Sequence, residues 1–244
     1  MSNGKAIAVL QSNYIPWKGY FDLMGAVDEF VIFDEVQFTT RDWRNRNRIV
    51  SNGRTRWLTI PVQTAGRFGA PIDAVEIADP LWAKRHWSLL KPSYRGSKHF
   101  GWLAPHLEDL YQQAAGISRL TEVNELFLRR IAHLLGLPTL LARSNEVPRH
   151  AMTPTGRLIE ICQASGASMY VSGPSARTYI DASQFARAGI ALRYVSYSGY
   201  PEYEQSSEVF DHHTSVVDTL FHCGASTREH LKSLRDRSAF LEPH

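Results

Sequence analysis

The sequence is poor in cysteine and contains no long hydrophobic run. Its 244 residues include two cysteines, Cys162 and Cys223, which is too few for the disulfide framework of a secreted domain. Neither belongs to a CxxC motif or to a Cys/His cluster with zinc spacing. No stretch approaches the roughly 20 apolar residues of a membrane span, and the N-terminus lacks the features of a secretory signal. We therefore predict a cytoplasmic protein without a membrane span, and we assign no metal ligand.

An excess of one charge is also missing. Lys and Arg number 27 against 24 Asp and Glu, so the formal net charge is +3. That balance gives no argument from charge alone for binding nucleic acid. With 43% hydrophobic and 21% charged residues, the composition is typical of a soluble globular protein. The length suits a single α/β domain over residues 1–244.

Short apolar runs alternate with helical periodicity in the first part of the chain. Residues 6–11 and 29–38 have the near-continuous hydrophobicity of buried parallel strands, and a helix is predicted between them. Asn52-Gly53 separates two apolar segments and provides type I′ turn chemistry, which predicts a β-hairpin. A further short strand is predicted over residues 72–78.

The rest of the chain continues this alternation after a helical interruption. Residues 80–137 contain three helical stretches, the last with Ser118 as N-cap and Gly136 as C-cap. Strands and helices alternate again over residues 139–197, and residues 225–244 read as a charged tail helix. The pattern predicts an α/β fold of Rossmann-like type, with a mainly parallel sheet, helices on both faces, a β-hairpin and a helical insertion.

Polar residues follow three of the predicted strands, at 11–20, 34–37 and 172–179. In open α/β sheets, ligands bind outside the carboxyl ends of the strands. We therefore expect these three clusters to converge on one site.

The first cluster, QSNYIPWKGY, combines polar groups with aromatic rings at a predicted helix start. Unpaired N–H groups there would bind an anion, Lys18 would hold a phosphate, and Gly19 would allow close approach. The alternative is an ordinary strand–helix turn with its aromatic residues in the core. The expected pocket residues are Gln11, Tyr14, Trp17, Lys18, Gly19 and Tyr20.

The other two clusters offer a carboxylate and a turn. Asp34 is placed to act as a base or to bind an amine, with Gln37 nearby; the alternative is a solvated strand end. Ser172, Gly173 and Tyr179 belong to a turn that would present N–H groups and hydroxyls to a ligand.

Six arginines occur within the 16 residues 41–56. Strand alternation would place three of them on one face, and guanidinium groups bind phosphate well. A nucleotide, a sugar nucleotide, a phosphopantetheine carrier or an RNA end would fit; the alternative is a solvated edge strand. The predicted faces are Arg44, Arg46 and Arg48 on one side, and Trp43, Asn45 and Asn47 on the other.

Several motifs in order resemble the WbqC-like protein family, from about Ala6 to Gly224. They are Q-x-x-Y-x-P-W-x-G-Y-F, F-V-I-F-D-E-V-Q-F, W-x-N-R-N-R-I, W-L-T-I-P-V, L-I-E-I-C-x-x-x-G-A, Y-x-S-G-P-S and V-V-D-T-L-F. One departure is Ser12, where the family is expected to carry proline. The resemblance implies a role in bacterial O-antigen, lipopolysaccharide or other surface-polysaccharide biosynthesis, with aminoacyl transfer, glycyl transfer for example, to an amino sugar.

Three functions follow from these features. The first is a transferase that attaches an acyl or aminoacyl group to an amino sugar or sugar nucleotide, with Asp34, Lys18 and Gln11 as catalytic residues. No covalent nucleophile is evident, so an activated donor on a carrier or an aminoacyl-tRNA is expected. The second is an ATP-dependent activating enzyme, because the first crossover is similar to that of nucleotidyltransferases and class I synthetases, although Trp17 and Tyr20 replace the histidines. The third is a non-catalytic sugar-nucleotide-binding protein.

Overall fold

Short apolar segments form a six-stranded main sheet and a separate two-stranded hairpin. The computed structural model describes residues 4–63 and 69–243. The strands are β1 (Ala6–Leu10), β2 (Glu29–Ile32), β3 (Arg46–Ser51), β4 (Arg54–Thr59), β5 (Leu140–Arg143), β6 (Met169–Ser172), β7 (Ala191–Val195) and β8 (Leu241–Pro243).

Nine helices connect and cover these strands in the described residues. They are α1 (Lys18–Gly25), α2 (Trp82–Tyr94), α3 (Phe100–Ala114), α4 (Leu120–Leu134), α5 (Pro154–Ala164), α6 (Ala182–Arg187), α7 (Val216–Cys223), α8 (Lys232–Arg235) and α9 (Arg237–Phe240). None of them combines the length and hydrophobicity needed to cross a bilayer.

The main sheet has the strand order β5-β2-β1-β6-β7-β8. Its first five strands run parallel, and β8 pairs antiparallel with β7. The order of connection reverses at β1, so the crevice beyond the carboxyl ends of β1 and β6 is a topological switch point. This arrangement confirms the predicted mainly parallel α/β fold.

The sheet is buried on both faces, as the alternation along β1 illustrates. Ala6 and Ala8 join one core cluster with residues of α1, α4 and α7. Ile7 and Val9 point the other way and join a second cluster with residues of α5 and α6. Successive strand residues face opposite sides, so the continuous apolar run supplies both layers.

The hairpin is confirmed in its turn as well as in its strands. Asn52 and Gly53 have φ angles of 52° and 71°, which the type I′ turn requires at both central positions. Arg48 pairs with Trp57 across the strands. The hairpin lies apart from the main sheet and contacts α2 and α7.

Three predicted boundaries need correction. β2 ends at Ile32 instead of residue 38, and residues 72–74 form a 3-10 turn instead of the start of a strand. α4 is capped by Arg119, not Ser118, because the carbonyl of Ser118 accepts from Ile77 and Arg119 bridges to Glu76 in extended conformation.

The charged C-terminal segment is not one helix. A 3-10 turn over Gly224–His230 leads into α8, α9 and β8. The Asp22 carboxylate, on α1, accepts hydrogen bonds from the N–H groups of Lys232 and Ser233 at 3.0 and 2.7 Å. These bonds satisfy the first donors of α8, and the chain then turns to add β8 to the sheet.

Candidate functional site

A cleft of about 420 Å³ opens at the carboxyl ends of β2 and β5. We call it the strand-end cleft. The first turn of α4 and the 3-10 turn at residues 72–74 complete its walls. Its lining residues are Ile32, Asp34, Glu35, Asp73, Ala74, Arg119, Thr121, Glu122, Arg143, Ser144 and Asn145.

Asp34 is held by hydrogen bonds from the β1–α1 loop and from α4. Its Oδ1 accepts from the backbone N–H of Ser12 at 2.8 Å, and its Oδ2 accepts from the Ser12 hydroxyl at 2.6 Å. The Thr121 hydroxyl, on α4, also donates to Oδ2, and Asn124 donates to the Ser12 hydroxyl oxygen at 3.0 Å. The carboxylate is therefore fixed in orientation at the cleft wall.

Glu35 is tied to the buried guanidinium of Arg157. The two form paired bonds of 2.8 and 2.9 Å, and Arg157 also donates to three backbone carbonyls around residues 144–148. Burial favours the protonated form of Glu35, but the bonds and charge of Arg157 outweigh it and hold the pKa of this carboxyl below its ordinary value. This pair anchors the cleft.

Asp73, in the wall of the cleft, has a carboxyl whose environment favours a bound proton. Burial, together with the negative charges of Asp34 and Glu35, raises the pKa of Asp73, although Arg119 acts against this. Arg119 donates to the Asp73 carbonyl at 3.4 Å and forms no ion pair with a described carboxylate. Arg143, by contrast, is bound to Glu125. The cleft thus combines a perturbed carboxyl with a guanidinium that forms no close ion pair within the described residues.

The side chains of Gln11 and Arg44 lie in contact. The Arg44 guanidinium donates to Asn13 Oδ1 and to Gln11 Oε1, the latter at 3.2 Å. Asn124, which contacts Ser12, also donates to the Arg44 carbonyl at 2.9 Å. A continuous set of hydrogen bonds therefore connects this arginine with Asp34 at the cleft.

A second cavity, of about 170 Å³, lies between the β1–α1 loop and the hairpin. We call it the tryptophan pocket. The Trp17 ring stacks on His213 with centroids 5.5 Å apart. A Cβ atom at Gly19 would lie 2.2 Å from the Trp17 ring, so glycine is needed there for the indole to fold over the helix start. The lining residues are Asn13, Pro16, Trp17, Trp43, Asn47 and His213.

Arginine and tryptophan side chains interleave on the outer face of the hairpin. Arg46 lies 4.1 Å from the centre of a Trp57 ring, and Arg48 lies 5.6 Å from Trp43. Trp43 packs on Trp57 at 5.4 Å, and Arg48 pairs with Asp211 at 3.3 Å. Trp43 therefore shares the arginine face instead of the opposite one, because it precedes β3 and strand alternation does not extend to it.

Asn45 and Asn47 lie on the face of the hairpin opposite Arg46 and Arg48, and both side chains are buried. Asn45 donates to the Ile60 carbonyl at 2.8 Å, and Asn47 donates to the Tyr14 carbonyl at 3.1 Å. Both amides connect the hairpin to neighbouring backbone, and Asn47 also reaches the wall of the tryptophan pocket.

Lys18 is enclosed by aromatic rings. Its ammonium lies 5.4 to 5.7 Å from the ring centres of Tyr200, Tyr203 and Phe210, and 3.3 Å from His212 Nδ1. Burial lowers the pKa of Lys18 to about 8, although Asp218 and Asp211 act in the other direction. This lysine cage (Lys18, Tyr200, Tyr203, Phe210 and His212) opens into neither of the two cavities.

The tyrosines of the first cluster belong to the core. The Tyr14 hydroxyl bonds to His86 Nδ1 at 2.9 Å and to the Tyr111 hydroxyl at 2.5 Å, and the Tyr20 hydroxyl donates to the Gln11 carbonyl at 3.0 Å. Burial raises the pKa of both Tyr14 and Tyr20 well above the ordinary value. Neither side chain lines the strand-end cleft or the tryptophan pocket.

The predicted ligand residues Gln37, Ser172, Gly173 and Tyr179 also lie outside the two cavities. Gln37 is exposed and pairs with Pro71, Ser172 is buried at the end of β6, and Tyr179 is exposed. Gly173 lies beside Tyr197. The three clusters therefore do not share one hollow: hydrogen bonds of Ser12 and Asn124 connect the first with the second, but these two clusters line different cavities, and the third lines neither.

Several cleft residues carry no local sequence motif. Asp73 lies in a segment that resembles a strand, and Arg119 and Thr121 begin an ordinary helix. Asn124 does leave a signal, because it is a polar residue on the apolar face of α4 and is fully buried. Within the described residues, no group of three or more His, Cys, Asp or Glu side chains is arranged to hold a metal ion.

Comparison with known proteins decides the family. A statistical profile of the WbqC-like protein family matches residues 11–230. The chain belongs to the WbqC-like protein family. A similar relative is the "Uncharacterized protein Rv1507c" of Mycobacterium tuberculosis (strain ATCC 25618 / H37Rv), which is 42% identical over 231 residues, covering 95% of this chain and 99% of that protein. No solved structure matches this WbqC-like chain.

Proposed function

We propose that this WbqC-like protein transfers an acyl or aminoacyl group to the amine of an amino sugar, in the assembly of O-antigen or another surface polysaccharide. A glycyl group is one candidate. The observation that carries the proposal is the strand-end cleft, where Asp73 has a raised pKa beside Asp34 and Arg119. A carboxyl perturbed in this way within a cleft is the pattern of an acid–base residue.

The transfer needs one proton acceptor. The amine nitrogen attacks the carbonyl carbon of the activated donor, a C–N bond forms, and the bond to the leaving group breaks. The proton lost from nitrogen passes to Asp73, whose raised pKa makes it a better base than an ordinary aspartate. Asp34 positions the amine, because a carboxylate has about four acceptor sites and three hydrogen bonds from Ser12 and Thr121 leave room for another.

Negative charge develops on the carbonyl oxygen during the attack. Arg119 and the backbone N–H groups of Thr121 and Glu122, in the first turn of α4, are the donors that support its stabilisation. Gln11 accepts a hydrogen bond from Arg44 and so orients its guanidinium group. Lys18 takes no part in this step because its ammonium is enclosed in the lysine cage.

Direct transfer from an activated donor is favoured over a thiol intermediate. Burial raises the pKa of Cys162 to about 12 and that of Cys223 to about 11, so both stay protonated near pH 7. A thioester carrier or an aminoacyl-tRNA would supply the activated group.

The test is transfer in vitro, with mass spectrometry of an amino sugar and of its nucleotide-linked form after incubation with each donor class. Asp73→Asn should reduce the rate by about 100- to 10,000-fold. Wild-type activity should also fall as the pH drops through the raised pKa of Asp73, because the protonated carboxyl cannot accept the proton. Asp109→Asn, on the surface of α3 and bound to Arg130, is the matched control and should retain the wild-type rate. Lack of product with every donor, or full activity of Asp73→Asn, would contradict the proposal.

A second candidate is ATP-dependent activation of the acyl group. It is favoured by the strand order, whose reversal at β1 is typical of nucleotide-binding sheets. Release of pyrophosphate from ATP would identify it. Binding of the sugar nucleotide without turnover, unchanged in Asp34→Ala, would indicate a non-catalytic binding protein instead.

A further inference from the structure

The tryptophan pocket is separate from the strand-end cleft, and the two share no lining residue. The bonds from Arg44 to Asn13 and Gln11 lie between them. Asn13 lines the tryptophan pocket, whereas Gln11 and Ser12 lead to Asp34. A ligand that occupied both cavities would therefore pass over the end of β1, at the switch point of the sheet.

The walls of the tryptophan pocket suit a flat heteroaromatic ring. Trp17, stacked on His213, and Trp43 provide aromatic surfaces, and Asn13 and Asn47 provide amide groups. The volume of about 170 Å³ is several times the roughly 30 Å³ that one water occupies, which leaves room for one ring system. Stacking on tryptophan with an amide at the ring edge is how proteins hold single nucleobases.

Cationic groups continue outward from this pocket. Arg48 lies beside Trp43, and Arg46 lies on Trp57. Arg46 forms no ion pair with a carboxylate among the described residues, while Arg48 contacts Asp211 at 3.3 Å. The two tryptophans remain 37% and 44% exposed, so a ligand can reach them. Guanidinium groups beside a ring pocket are suited to phosphate.

We propose that the tryptophan pocket binds a nucleobase, with Arg48 and Arg46 binding its phosphates. The ligand class is a nucleotide, held through Trp43 and Trp17. The inference rests on the proposed function in one respect: the bound nucleotide would be one part of a substrate whose reacting group lies in the strand-end cleft. That substrate is either a nucleotide-linked amino sugar or an RNA donor, which would bind through its terminal nucleotide.

The test is calorimetry with the whole chain and with uridine, cytidine, adenosine and guanosine diphosphates, without any acyl donor. At least one diphosphate should bind, and Trp43→Ala should weaken it about 10-fold or more, while Trp43→Phe retains most of the affinity. Trp102→Ala is the matched control, because Trp102 is similarly exposed but lies on α3. Circular dichroism of each variant checks folding.

A second variant keeps the test decisive if Trp43→Ala does not fold. Arg46→Gln, on the exposed face, should weaken the diphosphate several-fold and leave the binding of the corresponding nucleoside unchanged. An eight-residue RNA that binds more than 10-fold tighter than the diphosphate, with strong salt dependence, identifies an RNA end as the source. Equal or weaker RNA binding identifies a free nucleotide conjugate.

The proposal is overturned if no diphosphate and no RNA binds, if binding is unchanged in both Trp43→Ala and Arg46→Gln, or if a plain monosaccharide takes the pocket instead. If the protein binds a nucleotide but transfers no acyl group, the nucleotide site is supported and the proposed transferase function is rejected. If it transfers an acyl group to an amino sugar but binds no nucleotide, the transferase function is supported and the nucleotide site is rejected.

Discussion

The strand-end cleft and the lysine cage differ in how many polar partners surround their buried charges. In the cleft, Asp34 accepts three hydrogen bonds and Glu35 shares two bonds with Arg157. In the cage, Lys18 lies among three rings, and burial lowers the pKa of its ammonium to about 8. A charge removed from water needs partners that replace its hydration, and the cleft provides them more completely than the cage.

The number of hydrogen bonds around a charge distinguishes residues that hold the cleft in shape from residues that can contact a substrate. The charges that hold several hydrogen bonds, at Asp34 and on Arg157, fix the geometry of the cleft and cannot move without loss of those bonds. Asp73 and Arg119 have fewer partners and face the same space. The residues best suited to meet a substrate are therefore the less satisfied ones beside a well-bonded framework.

The largest expected effect comes from breaking the anchor. Arg157→Ala should lower the free energy of unfolding by about 3–5 kcal/mol, because it leaves Glu35 and several carbonyls without their buried partner. Urea unfolding followed by circular dichroism measures it. Arg149→Ala is the control, since Arg149 lies 3.8 Å from the same carboxylate with 60% of its side chain exposed, against 2% for Arg157. It should cost less than about 1 kcal/mol; equal costs would show that burial is not the cause.

The second effect has the opposite sign. Lys18→Met should raise the free energy of unfolding at pH 7 by up to about 3 kcal/mol, because it removes an ammonium whose pKa is lowered to about 8 from about 10.5. Between these two values the unfolded chain binds more protons than the folded one, so the wild type should gain stability as the pH rises from 8 to about 10.

Urea unfolding at pH 7, 8, 9 and 10 compares Lys18→Met with wild type. The variant should lack the gain that the wild type shows, whereas Lys84→Met, at an exposed position of α2, should follow the wild-type curve. A destabilised Lys18→Met at pH 7 would mean that the rings and His212 stabilise the ammonium more than burial penalises it.

Local patterns were sufficient to predict most of the fold. The apolar run of β1, the Asn52-Gly53 turn and the periodicity of α2 to α4 each specify an element within a few residues, and their alternation gives the parallel sheet. The errors occur where distant segments compete. Ser118 would cap α4 in isolation, but its carbonyl bonds to Ile77, and this contact cannot be read from the neighbours of Ser118.

The sequence predicts only part of the candidate site, because local patterns mark the residues at strand ends but not those that distant segments bring to the cleft. Asp34 and Gln11 follow strands, so the carboxyl-end rule locates them. Asp73 and Arg119 reach the cleft through a 3-10 turn and a helix start that no motif marks. Ser12 illustrates what the sequence does not predict. In the sequence it is only a departure from the proline expected in the family. In the structure its N–H and its hydroxyl both donate to Asp34, and proline has neither donor.

The smallest change in the free energy of unfolding is expected for a substitution of Ser12. Ser12→Ala should lower the free energy of unfolding by about 1–3 kcal/mol, because a buried carboxylate loses one donor and Asn124 loses its acceptor. Ser183→Ala removes a hydroxyl–carboxylate bond of similar length, 2.7 Å to Asp181, on the exposed surface, and should change stability by less than about 0.5 kcal/mol. Thermal and urea unfolding of both variants give the comparison. If the two substitutions cost the same, the bonds around Asp34 add no more than surface bonds do, and the cleft is not the rigid framework that its contacts indicate.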